Sequence, residues 1–139
     1  MLVRELLASP VVTIRPDHQV VEAARLLDRL SLTSLPVADA DLRLLGIIDG
    51  ADLISQIAMP TRTRAGGLLV RDLMTPHVLT VDADDDVARI VALMSRTSSK
   101  SLPVLLHDRV VGVISRRDNV RAIAQGEVDG RHVNELSRA

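Results

Sequence analysis

The apolar residues of this chain change period in a fixed order, and the order occurs twice. Val11 to Ile14 and Val78 to Val81 are short β-branched runs that predict strands. Val20, Ala23, Ala24 and Leu27 then fall at i, i+3, i+4 and i+7, as do Val87, Ile90, Val91 and Met94, and each set marks one face of a helix. Asp17 and Asp84 stand where an N-cap or first-turn acid belongs. Leu35 to Asp39 with Arg43 to Asp49 reads as a hairpin turning at Ala40 to Leu42. A second hairpin runs from Leu102 to Leu106 and from Arg109 to Ser115, turning at His107-Asp108. A closing helix follows each hairpin, at about Gly50 to Ala58 and Arg116 to Gln125.

Residue identities repeat along with the pattern. Val3 to Val37 matches Val70 to Val104 at a constant displacement of 67 positions, with Val3-Arg4-x-Leu6 returning as Val70-Arg71-x-Leu73 and Ser34-Leu-Pro-Val37 as Ser101-Leu-Pro-Val104. Beyond Leu42 the displacement drops to 66, pairing Gly46-Ile47-Ile48 with Gly112-Val113-Ile114 and Asp52 with Asp118. The predicted organisation is a first repeat over 1–58, a linker over 59–69 rich in breakers and polar groups, a second repeat over 70–125 and a polar tail over 126–139 with a short helix from Val133. The fold class is α/β: two tandem strand-helix-strand-strand-helix repeats with pseudo-twofold symmetry. Neither half covers both faces of its own sheet, so the expectation is that they pack together around a cleft.

Composition narrows what such a cleft can do. At 139 residues and 47% hydrophobic, the chain suffices for one module or two small repeats sharing a core. Seventeen Lys and Arg against eighteen Asp and Glu leave a net charge of −1, which gives no field to hold a nucleic-acid polymer. No Phe, Tyr or Trp is present, so a bound flat ring must lie between aliphatic side chains. Absence of cysteine excludes disulfides, thiolate nucleophiles and thiolate zinc sites, and a reducing cytoplasm is the simplest home. The longest apolar runs, Leu44 to Ile48 and Leu102 to Leu106, are far below the roughly 20 residues that cross a bilayer. Arg4 and Glu5 interrupt what would have to be a signal peptide's apolar region, so neither membrane insertion nor export is expected.

The repeat resembles the tandem cystathionine-β-synthase (CBS) domain pair, or Bateman module, from Val3 to about Gln125. The resemblance rests on Leu-Pro-Val before each hairpin, on the Gly-hydrophobic-hydrophobic opening, and on the Asp beyond it. Gly112-Val113-Ile114-Ser115-Arg116-Arg117-Asp118 fits the family's Gly-h-h-Ser/Thr-x-x-Asp pattern completely. In Gly46-Ile47-Ile48-Asp49-Gly50-Ala51-Asp52, Asp49 replaces the hydroxyl residue. The resemblance implies a regulatory homodimer binding AMP, ADP, ATP, S-adenosylmethionine or NAD(H), with no cofactor required. It also implies crossed sites. One would combine Ser115, Arg117 and Asp118 with Leu32, Thr33 and the Ser9 to Val11 stretch, Val11 included. The other would combine Asp49 and Asp52 with Ser99, Lys100 and the Pro76 to Val78 stretch, Val78 included.

The residue chemistry agrees with these assignments independently. A carboxylate at a helix start is held by the dipole and can accept two hydrogen bonds from a ribose diol, which suits Asp118. Ser115 with the following N–H groups and Arg116 or Arg117 suits an anion. Asp49 repels a phosphate, whereas Lys100 can attract one. Val11, Leu32, Val78 and Ile114 are candidate walls for adenine. Beside this stands plain helix capping, which accounts equally for Ser115, Asp52 and Asp118. Asp82-Ala-Asp84-Asp-Asp86 is spaced like a calcium loop, but Val87 and Leu93 stand where Gly and Glu are required, so capping explains the run better. His18, His77, His107 and His132 are scattered, and no phosphate loop or nucleophile elbow is present. The expected function is a non-enzymatic sensor that binds an adenosine ligand and modulates an effector protein. The alternative is a ligand-free dimerisation scaffold, and metal-dependent hydrolysis has little support.

Overall fold

The computed structural model describes residues 1–7, 10–58, 67–97 and 100–128. In chain order the elements are α1 (Val3–Leu6), α2 (Val20–Arg29), β1 (Ser34–Ala38), β2 (Leu44–Asp49), α3 (Gly50–Ala58), α4 (Val70–Leu73), β3 (Val81–Asp82), α5 (Val87–Arg96), β4 (Ser101–Leu106), β5 (Arg109–Ser115) and α6 (Arg116–Ala124). This is the mixed helix and strand architecture expected of two tandem repeats. The chain forms two compact units, and each holds the opening turn of the other repeat. One gathers Met1–Val11, Leu79–His107 and Val111–Ala139; the other gathers Val12–Val78 and Asp108–Val110. Most of the 59–69 linker, the tail from 129 with its Val133 helix, Ser9 and Ser99 lie outside the described residues.

In the unit built on 12–78, β1 and β2 form an antiparallel hairpin with Leu35 opposite Ile48 and Val37 opposite Gly46. All five β1 residues are buried. The expected strand from Val11 to Ile14 is reduced to one parallel bridge, Ile14 with Val37. The Ile14 N–H donates to the Pro36 carbonyl and the Ala38 N–H to the Ile14 carbonyl, both at 3.0 Å. The next rung of such a ladder needs an N–H from Pro36, which has none. The core consists of Ile14, Ala23, Leu27, Leu35, Val37, Ile48 and Val70, so α4 is anchored by a side chain that is fully buried here. Backbone bonds from Val70 N–H to the His18 carbonyl (2.8 Å) and from Val20 N–H to the Leu68 carbonyl (3.0 Å) tie this segment to the start of α2.

The other unit repeats the scheme. The expected Val78 to Val81 strand is shortened to β3, which pairs parallel to β4 through Val81 with Val104 and Asp82 with Leu105. Pro103 stands where Pro36 does and likewise withholds a donor. Val3, Val81, Val87, Ile90, Leu102, Val104 and Ile114 form the core. The tight turn at His107 and Asp108 has φ of 51° and 63°, as two-residue hairpins require. The first hairpin turns through a longer loop, where the Asp39 carboxylate accepts the Asp41 and Arg43 N–H groups at 2.9 and 3.0 Å.

The caps differ from expectation. α2 begins after Gln19 and α5 after Asp86, two residues beyond Asp17 and Asp84. A turn intervenes in each case. The His18 N–H donates to the Arg15 carbonyl at 3.2 Å. Asp82 binds the Asp84 N–H at 2.8 Å, while Asp85 binds the Asp82 N–H at 2.9 Å. Asp86 is therefore the cap, accepting from the Ala88 N–H at 2.8 Å, and Asp84 instead pairs with Arg4 of α1. The one-turn helices α1 and α4, unassigned by pattern, are where the repeated Val-Arg-x-Leu sits.

Candidate functional site

β5 delivers Ser115 to the start of α6, where the chain turns and leaves the first N–H groups of the helix without intrahelical partners. Asp118 answers this need. Its Oδ2 accepts the Ser115 N–H at 2.7 Å and the Ser115 hydroxyl at 3.0 Å. Its Oδ1 receives Arg121 at 3.3 Å, and the same guanidinium donates to the Leu6 carbonyl at 2.8 Å. The Arg116 N–H donates to the Lys100 carbonyl at 3.2 Å, which sets Lys100 beside the helix start. Arg116, Arg117 and Lys100 are exposed.

The start of α3 repeats this geometry with a different charge. The Asp49 N–H donates to Asp52 Oδ2 and the Asp52 N–H to Asp49 Oδ1, each at 2.9 Å. Asp49 takes over the hydroxyl's capping role while adding a negative charge. Burial pushes the Asp52 carboxyl above its ordinary value; the Asp49 backbone hydrogen bond opposes this, and the Asp49 carboxylate reinforces it. A groove of about 750 Å³ opens at Asp52, Ser55 and Gln56 on one side and at Leu73, Met74 and Pro76 on the other.

Of the residues singled out by sequence, Val11, Lys100, Ser115, Arg117 and Asp118 belong to one unit and Leu32, Thr33, Asp52 and Val78 to the other. Ser115, Asp118 and Lys100 are brought together, and Arg117 follows on the same helix. Leu32 and Thr33 are exposed, while Val11 and Val78 are half-buried. Ile114 is corrected: it is fully buried in the core, so its side chain cannot wall an open site. Sequence reasoning passed over Arg121, Ser55 and Met74. The signal was the Arg121 to Ser55 difference at the repeat's displacement. Among the described residues, no cluster of three or more metal-ligating side chains occurs, and no helix is long and apolar enough to cross a membrane.

The CBS domain family model matches residues 3–59 and 70–124. The chain belongs to the CBS domain family. As a CBS domain pair it is similar to the L-aspartate semialdehyde sulfurtransferase of Methanocaldococcus jannaschii, at 29% identity over 84% of this chain but only 22% of that protein. It is also similar to the chloroplastic CBS domain-containing protein CBSX1 of Arabidopsis thaliana, at 30% identity over 81% of this chain and 58% of that one. Among solved structures, the CBS domain pair of protein MJ0100 in complex with 5′-methylthioadenosine and S-adenosyl-L-methionine superposes with a TM-score of 0.80 at 28% identity, covering 91% of this chain and 98% of that one. CBSX2 in complex with AMP gives 0.77 at 28% identity, with the same two coverages.

Proposed function

We propose that this CBS domain pair is a non-catalytic sensor that binds an adenosine-containing ligand and, through the change that binding produces, modulates an effector protein. The observation that carries the reading is the likeness to pairs solved with AMP and with S-adenosylmethionine and 5′-methylthioadenosine, combined here with an intact Ser115-x-x-Asp118. Asp118 retains acceptor capacity for a ribose diol beyond its caps. Ser115, Arg117 and neighbouring Lys100 suit a phosphate. Val11, Leu32 and Thr33 are assigned to the same ligand, and Asp52, Val78 and Ser99 to a second; Lys100, expected with Asp52, goes with the first because its carbonyl accepts the Arg116 N–H. Signalling follows from population shift: the ligand favours one arrangement and the effector distinguishes it.

A thermal-shift panel with AMP, ADP, ATP, S-adenosylmethionine and NADH tests this. A ligand at 100 times its Kd stabilises by about 2.7 kcal/mol. Asp118→Ala is expected to remove more of the AMP response than Asp52→Ala does. A flat panel defeats the sensor reading.

One observation favours a second reading, a ligand-free dimerisation scaffold. Both oxygens of Asp118 are already engaged within the chain, as is Oδ2 of Asp52. Homodimerisation is common to both readings and is supported by exposed apolar side chains on α3 and α6.

A further inference from the structure

A carboxylate offers about four acceptor places on its two oxygens, and at Asp118 the chain itself fills three. Oδ2 accepts the Ser115 N–H at 2.7 Å and the Ser115 hydroxyl at 3.0 Å, which completes it. Oδ1 accepts a single bond, from Nη2 of Arg121 at 3.3 Å. A ribose diol brings two donors to a carboxylate with one place left.

The three internal bonds do not yield equally. Losing the Ser115 N–H opens the capping box at the start of α6. The Ser115 hydroxyl is closer to its acceptor than Arg121 is, by 3.0 Å against 3.3 Å. The Arg121 bond is also the wettest, with the guanidinium side chain 45% exposed and the carboxylate 22%, and an ion pair so hydrated is weak. Nη2 of Arg121 donates as well to the carbonyl of Leu6, the last residue of α1, at 2.8 Å. Arg121 therefore keeps a partner when it gives up Asp118. At the matching place beside Asp52 no guanidinium is built in, because Ser55 stands there.

We propose that Arg121 is a positioning residue that competes with the ligand's sugar for Oδ1 of Asp118, and so sets how strongly this site tells ribose from 2′-deoxyribose. The inference rests on the adenosine-binding reading above. A 2′-deoxyribose brings only its 3′-hydroxyl, which the remaining place accepts with Arg121 undisturbed. A ribose gains its second bond by moving Arg121 aside, and the lost ion pair offsets part of that gain. Removing the guanidinium leaves the one-bond sugar little better held and gives the two-bond sugar its full benefit. For a partly exposed pair the difference is about three- to fivefold in affinity.

Isothermal titration calorimetry of the full chain with AMP and 2′-deoxy-AMP tests the inference, because the two share base and phosphate and differ in one hydroxyl. The binding to be read is the component that Asp118→Ala removes. Arg121→Met is expected to raise the ratio of AMP affinity to 2′-deoxy-AMP affinity about three- to fivefold over the wild type. A loosened fold, or the loss of a positive charge near the phosphate, lowers both affinities alike and does not move that ratio. Ser115→Ala should weaken both nucleotides and leave the ratio as in the wild type. Circular dichroism checks each variant, and Arg121→Gln takes the place of Arg121→Met if the latter unfolds. A ratio that stays or falls on loss of Arg121, or that rises with Ser115→Ala, overturns the competition and leaves adenosine binding standing. If AMP gives no heat, or none that Asp118→Ala removes, the binding reading and this inference fall together.

Discussion

Acidic side chains near helix starts recur throughout this chain, and what each contributes depends on which N–H it meets. Asp86 accepts the Ala88 N–H, a donor that the helix cannot satisfy itself. Asp84, two residues earlier, makes an exposed ion pair with Arg4. Asp86→Ala is therefore expected to cost about 0.5–2 kcal/mol in chemical denaturation, and Asp84→Ala no more than about 1 kcal/mol; the reverse order would contradict the cap assignment. Asp52 carries a pH dependence of definite sign. Its carboxyl is raised above its ordinary value by burial and by Asp49, so the folded chain holds that proton more tightly than the unfolded chain does. Its contribution is fully present below the ordinary carboxylate range and is lost as pH rises through the raised value. Denaturation of wild type and Asp52→Asn across that window is expected to show the variant gaining relative stability as pH increases. A constant difference would mean that Asp52 is not perturbed.

At the scale of elements, the motif residues have packing reasons that the pattern alone does not supply. A Cβ on Gly46 would come within 2.6 Å of the Thr75 carbonyl oxygen, because the chain after α4 pairs with β2 at Ile47. A Cβ on Gly112 would instead meet the Leu7 methyl groups at 2.8 and 2.9 Å, and those can rotate away. Gly46→Ala should thus destabilise by about 1–3 kcal/mol and Gly112→Ala by clearly less, as measured by urea midpoint. Equal losses would show that backbone and side-chain obstacles yield alike. The amphipathic helices and the two hairpins were legible because their periods extend over many residues. The one-turn helices α1 and α4 were not, since four residues establish no period. The strands before α2 and α5 were overestimated because a β-branched run does not reveal that its partner offers a proline.

For the whole molecule, the repeat made the halves readable, but it obscured how they differ. Ser115 and Asp118 could be named from spacing, whereas the meaning of Arg121 depends on the end of α1, more than a hundred residues away in sequence. The exposed apolar positions follow the same logic. Ile54 and Ile57 on α3 are 69% and 84% exposed, and their counterparts Val120 and Ile123 on α6 are 63% and 50% exposed. Helical periodicity alone gives no reason for four large aliphatic side chains at matching positions to face water, and water penalises each of them. Their recurrence on the closing helix of both repeats fits coverage by a second copy of the chain, consistent with the proposed homodimer. Sedimentation velocity is expected to show a dimer for the wild type and a monomer for the Ile57→Glu/Ile123→Glu double variant. Both substitutions are at exposed helix positions, so circular dichroism should be unchanged. A wild-type monomer, or a double variant that still dimerises, would assign these faces to another partner.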